Sequence, residues 1–70
     1  MIKSKLSEIL GKKRIKMSEL QELTGLGVNT IRKIYYNTGN NVSYNTLNKI
    51  CNALEISVGE LFEFIPEDNL

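Results

Sequence analysis

The sequence predicts an all-α domain of five short helices, and three observations lead there. Apolar residues recur at i, i+3 and i+4 in four or five segments divided by Gly, Asn or Ser. No stretch with a period of two is long enough to build a sheet-based core. The 70 residues suffice for one domain and no more, so 1–70 reads as a single unit.

Taken in order, Leu6, Ile9 and Leu10 set a first helix over about 4–13, with Ser4 as its N-cap. Gly11 lies in its last turn, and a basic cluster follows. A second period runs through Met17, Leu20, Leu23 and Thr24 and stops at Gly25, which suits the left-handed residue that closes a helix. Lys16 is a weak cap for this helix, whereas Ser18 with Gln21 would form a capping box one turn in. Leu26 follows the break, and Gly27 serves as the next N-cap. A third helix, over about 28–36, carries Ile31, Ile34 and Tyr35 on one face.

Asn37 to Asn41 is a loop by composition. Ser43 then caps a fourth helix with the stripe Tyr44, Leu47, Ile50, Cys51 and Leu54. Ser57 caps a last short helix bearing Val58, Leu61 and Phe62. At the end Phe62, Phe64 and Pro66 alternate with Glu63 and Ile65, which admits a short C-terminal strand paired with Ile2-Lys3.

Composition narrows the function classes. With 41% hydrophobic and 24% charged residues the chain has the balance of a folded domain, not of a disordered one. Apolar runs never exceed three residues, which predicts neither a membrane span nor a signal peptide and so a cytoplasmic protein. The lone Cys51 cannot form an internal disulfide, and the absence of histidine argues against a zinc site and removes the commonest general base. Cys51 lies beside Ile50 and Leu54, which favours a buried small residue over a redox switch. No acid/base or nucleophile cluster stands out, so a binding module is expected, with no cofactor and no metal.

The net charge of +1 hides a division. Residues 1–33 hold eight basic and three acidic side chains, a balance of +5, whereas residues 34–70 hold one basic and five acidic ones, −4. Such asymmetry suits a chain that turns one face to a polyanion and the acidic half away from it. Lys12, Lys13, Arg14 and Lys16 also fit a solvated helix end, where cations suit the dipole.

The two helices around Gly25-Leu26-Gly27 form a compact helix-turn-helix unit over about 17–36. Leu20, Leu26, Ile31 and Ile34 can share one core, which leaves Val28, Asn29, Thr30, Arg32, Lys33 and Tyr36 outside. That outer set holds the tools for reading DNA. Asn pairs bidentately with adenine, Lys donates to guanine, Val meets the thymine methyl, and Thr or Arg holds phosphate. Asn29 on a helix surface is otherwise simply solvated; its place opposite Ile31 and Ile34 favours the reading role.

The stretch Met17 to Tyr36 resembles the helix-turn-helix of phage-repressor and Cro-like (Xre-type) transcriptional regulators. The matching residues are Glu19-Leu20, Leu23-Thr24-Gly25-Leu26, Asn29-Thr30-Ile31 and Ile34-Tyr35, then Thr46-Leu47, Lys49-Ile50-Cys51 and Ala53-Leu54. The likeness runs through nearly the whole chain, which resembles the small single-domain bacterial members. It implies a five-helix, lambda-repressor-like fold in which the third helix reads the major groove. Val28, Asn29 and Lys33 match positions that face bases. Met17, Gly27, Thr30, Arg32, Tyr36, Asn40 and Ser43 fall at backbone-contacting or supporting positions.

The chain departs from the family pattern at three of its positions. Met17 stands where a glutamine is common, Gln21 where a small residue is usual, and Gly27 where Ser or Thr caps the helix. The loop from Asn37 to Asn41 is also a little longer than is typical. The function expected is a sequence-specific repressor that binds double-stranded DNA as a homodimer on a two-fold operator, with no small-molecule effector. The apolar residues offered for pairing are Val58, Phe62, Phe64, Ile65 and Leu70. The alternative is a protein-interaction module, an antitoxin-like or adaptor subunit, suggested by Glu60, Glu63, Glu67 and Asp68 around Phe62 and Phe64.

Overall fold

Eight side chains make the core: Leu6 and Leu10, Leu20, Ile31 and Ile34, Ile50 and Leu54, and Leu61, so every predicted helical period sends at least one residue inward. Burying each such side chain contributes about 1.5–3 kcal/mol, and together they fix how the helices lie. The computed structural model describes residues 1–67, so Asp68 and Leu70, assigned above to the acidic set and the apolar end, lie outside the described residues. In order the elements are β1 (Ile2–Ser4), α1 (Leu6–Lys13), α2 (Met17–Thr24), α3 (Val28–Tyr35), α4 (Tyr44–Leu54), α5 (Val58–Leu61) and β2 (Phe62–Phe64). The all-α class holds, with the two short strands joining the ends of the chain.

β1 and β2 pair antiparallel, with Ile2 opposite Phe64, Lys3 opposite Glu63 and Ser4 opposite Phe62. Ser4 is therefore the last residue of β1, not the N-cap expected of it; its hydroxyl accepts the Leu6 amide at 3.1 Å from outside the helix. Lys5 occupies the cap position, because its own amide continues the strand pairing to the Leu61 carbonyl at 2.8 Å.

α2 begins at Met17, so Ser18 is already inside the first turn and the box expected between Ser18 and Gln21 does not form. The Glu19 carboxylate instead accepts the Lys16 amide at 3.3 Å. Leu23, placed on the apolar stripe by its spacing, is 61% exposed. At about 100° per residue, Met17, Leu20 and Thr24 fall within about 60° of one another, while Leu23 lies about 60° beyond Leu20 on the far side. Tyr44 is likewise 86% exposed. Helical side chains lean toward the N-terminus, and at the first position of α4 no turn lies there to receive one.

Ser43 and Ser57 cap α4 and α5 as expected, accepting the Thr46 and Glu60 amides, each at 3.1 Å. Leu61 of α5 is buried, but Val58 is exposed and Phe62 belongs to β2. Gly25 closes α2 at φ 72, and its amide returns to the Gln21 carbonyl at 2.8 Å. Three further helix ends use left-handed residues that are not glycine: Arg14 at φ 56, Asn37 at φ 58 and Glu55 at φ 56. In each, the following amide reaches back five residues: Ile15 to Leu10, Thr38 to Lys33 and Ile56 to Cys51.

Candidate nucleic-acid interface

α2 and α3 are separated only by Gly25, Leu26 and Gly27, and both pack on the core through Leu20, Ile31 and Ile34. The turn is held by a residue whose part sequence reasoning missed. The buried Thr24 hydroxyl donates to the Leu20 carbonyl at 2.7 Å and accepts the Leu26 amide at 3.2 Å. Leu26 is half-buried against the same core, so the turn cannot swing outward without exposing it.

At the start of α3, Gly27 is extended at φ −69 and ψ 152, with no side chain capping the helix. The first amides of α3 have no carbonyl one turn back within the helix and point outward as donors. Along α3, Val28, Asn29, Arg32, Lys33 and Tyr36 are exposed, while Ile31 and Ile34 are buried. Thr30, grouped above with the outer set, is only half-exposed, since it stands on the side of α3 that turns toward α4. Tyr35 is half-buried and meets the ring of Tyr36 edge to face at 4.9 Å between centroids.

A groove of about 680 Å³ runs beside α3 and gathers four of the expected residues: Thr30, Lys33, Asn40 and Ser43. The loop that supplies Asn40 approaches α3 closely at Gly39, where a Cβ would stand 3.3 Å from Lys33 Cβ. Gly39 thus sets the path of the loop, a role its turn-forming composition did not reveal. The Ser43 hydroxyl is taken up by Thr46, donating to its Oγ1 at 3.0 Å and accepting its amide at 3.1 Å. What Ser43 leaves for an anion is the N-terminus of α4. Met17 does not line this groove; it is half-buried and packs against the core.

The charge division is less clean than the sequence total suggests. Lys5, Lys12 and Lys13 of the basic half share a depression with Glu55 and Glu60 of the acidic half. The Glu60 carboxyl is held below its ordinary value by hydrogen bonds from the Ser57 backbone and side chain, with Lys13 and Lys5 adding to the effect. Lys5 and Lys13 of the basic half thus stand near a carboxylate of the acidic half. Burial pushes the Cys51 thiol up, with the Glu60 carboxylate adding to the effect, so a thiolate at neutral pH is disfavoured.

Among the described residues no three metal-ligating side chains converge, and no helix is long and apolar enough to cross a membrane. No curated protein matches the chain. The family model of the Cro/C1-type HTH DNA-binding domain matches residues 5–67, which takes in all five helices and β2. A short α2, a three-residue turn and an α3 whose outer face is polar and basic are what such a module requires, and this chain belongs to the Cro/C1-type helix-turn-helix DNA-binding domains.

Proposed function

We propose that the chain is a sequence-specific transcriptional repressor that lays α3 in the major groove and occludes its operator. The observation that carries this reading is the two-sidedness of α3: Ile31 and Ile34 are buried while Val28, Asn29, Arg32 and Lys33 are all exposed. Val28 and Asn29 occupy the N-terminal turn, the part of a recognition helix that reaches base edges first. Asn29 reads adenine, Lys33 guanine and Val28 the thymine methyl. Arg32, Thr30, Tyr36 and Asn40 serve the sugar–phosphate strands, joined by the amides at Gly27 and Ser43. Met17 supports from within, holding the start of α2 against the core.

A single module of this size covers roughly 600–1,000 Å² of protein surface on DNA, so useful specificity calls for two copies on a two-fold operator. The adaptor reading has less to support it. Glu60 caps α5, its carboxylate accepting the Ser57 amide at 2.9 Å, and it lies beside lysines rather than in a free acidic face. In vitro selection from a random DNA pool tests the proposal, followed by fluorescence titration of the recovered site. A symmetric site bound with strong salt dependence is expected, with preference lost in Asn29→Ala/Lys33→Ala. Binding no tighter than ~10⁻⁴–10⁻⁶ M at physiological salt for every sequence would overturn it.

A further inference from the structure

Lys33 leaves the last turn of α3, and the group that stands against its stem comes from beyond the helix. A Cβ at Gly39 would lie 3.3 Å from Lys33 Cβ and 4.0 Å from Lys33 Cδ, so the loop backbone runs along the stem. Only a residue without a side chain passes this close without displacing it. Gly39 has no left-handed φ, so space alone calls for glycine here.

The segment that carries Gly39 is held from two sides. Toward α3, the Asn37 amide donates to the Ile34 carbonyl at 3.2 Å and the Thr38 amide to the Lys33 carbonyl at 3.0 Å. Toward β1, Asn37 Oδ1 accepts the Ser4 amide at 3.1 Å, and Asn37 Nδ2 donates to the Ile2 carbonyl at 3.4 Å. The side-chain amide of Asn37 thus pairs with the outer edge of β1 as a third strand would. Ile31 and Ile34 already seat α3 on the core. The tie at Asn37 fixes the stretch that those two leave free, the turn and loop beside Lys33.

We propose that Asn37 and Gly39 are positioning residues for base reading: anchored to β1 through Asn37, the loop walls the Lys33 stem and directs its ammonium to one base pair. The proposal rests on the DNA-binding reading of α3 and, within it, on Lys33 as a base reader. A free lysine spreads its ammonium over many rotamers, and ordering them on DNA costs affinity. A stem confined beforehand loses less, and rotamers that would reach a neighbouring base or a phosphate are excluded. Asn40 follows Gly39 directly and lines the same groove, so the wall of the lysine also places the next polar group. β1 in this way serves the reading by position.

The test is fluorescence titration of a duplex carrying the selected site, and of duplexes with each base pair changed in turn. Asn37→Gly keeps the left-handed turn and removes both side-chain bonds. Gly39→Ala leaves that tie intact and sets a Cβ against the stem. Ile50→Val, in the core and outside the groove, is the control for lost stability alone. Asn37→Gly and Gly39→Ala should each lower discrimination about 3–10-fold at the base pair where Lys33→Ala loses it. The positions read by Val28 and Asn29 should stay sharp, and neither change should lower discrimination further when added to Lys33→Ala. Ile50→Val should melt earlier and read every position as before.

Unchanged discrimination in either loop variant, while Lys33→Ala loses it, would overturn the proposal and leave the DNA-binding reading standing. Losses spread evenly over all positions, or adding in full to that of Lys33→Ala, would overturn it too. If Lys33→Ala itself kept its preference, the base-reading role and the positioning would fall together. Loss of all DNA binding by the unaltered chain would instead remove the wider reading.

Discussion

Asn37 and Ser4 stand 33 positions apart, and the Asn37 side-chain carbonyl accepts the Ser4 amide at 3.1 Å. The contact ties the end of α3 to the first strand. Asn37 is suited to it twice over. Asparagine tolerates the left-handed conformation that it adopts at φ 58, and its amide offers both an acceptor and a donor to a strand edge. Backbone bonds from Asn37 to Ile34 and from Thr38 to Lys33 close the helix at the same point, so α3 ends where the sheet holds it.

Removing that amide should loosen both elements together. Asn37→Ala deletes two hydrogen bonds and puts a residue ill suited to φ 58 there. The expected loss is about 1–3 kcal/mol, which for a domain of this size lowers Tm by about 4–8 °C per kcal/mol. Asn37→Gly keeps the backbone at ease and loses only the tie, so it should fall between the two in a thermal melt. Equal melting of all three proteins would show the contact to be idle.

The left-handed positions predict changes of opposite sign. Gly25 sits at φ 72 with open space, nothing within 4 Å, where a Cβ would stand, so Gly25→Ala costs conformational strain alone, about 1–2 kcal/mol. Glu55 adopts φ 56 against its own preference, and Glu55→Gly should stabilise by up to about 1 kcal/mol. Urea midpoints at unchanged m-value would check both.

These positions also show how far the sequence could be read. Gly25, Ser43 and Ser57 announce their helix ends because their chemistry matches the task and lies local to it. Arg14, Asn37 and Glu55 do the work of glycine without looking like it, and nothing local marks them. The polar outer face of α3 was legible because Ile31 and Ile34 fix its phase. The approach of Gly39 to Lys33 was not, since the path of a loop leaves no periodic trace. Nor was the burial of Thr24 and Thr46, whose hydroxyls find partners only once the turns around them exist.

The phase of α2 makes a paired prediction. Leu20 is fully buried and Leu23 largely exposed. Leu20→Ala should cost about 2–5 kcal/mol, whereas Leu23→Ala should stay within about 0.5 kcal/mol of the parent. Chemical denaturation of the two variants reads the difference directly, and a large loss at Leu23 would mean that it is covered in solution.

Glu60 predicts a dependence on acid. Its folded pKa lies below the ordinary 4.5, first through the Ser57 backbone hydrogen bond and then through the Ser57 hydroxyl. A depressed carboxyl binds fewer protons folded than unfolded at a given pH, so its contribution is complete above the ordinary value. That contribution declines as pH falls below 4.5 and is gone below the folded pKa. Glu60→Gln should therefore melt with a shallower pH dependence in this acid window and be unchanged in slope at neutral pH. A parallel pair of melting curves from neutral into acid would contradict the assignment.

Lys33 separates charge from base reading within the proposed interface. It is exposed on the last turn of α3 and borders the groove with Asn40 and Ser43. If it neutralised a phosphate, Lys33→Ala would weaken all sequences alike and reduce the slope of log affinity against log salt by about one. As a guanine reader it should instead cost about 1–3 kcal/mol on the selected site alone. Non-specific DNA should then bind almost as before. The base-reading role predicts the second pattern, with preference relaxed at one position of each half-site. Repeating the selection with Lys33→Ala and comparing the recovered sites, position by position, decides between the two.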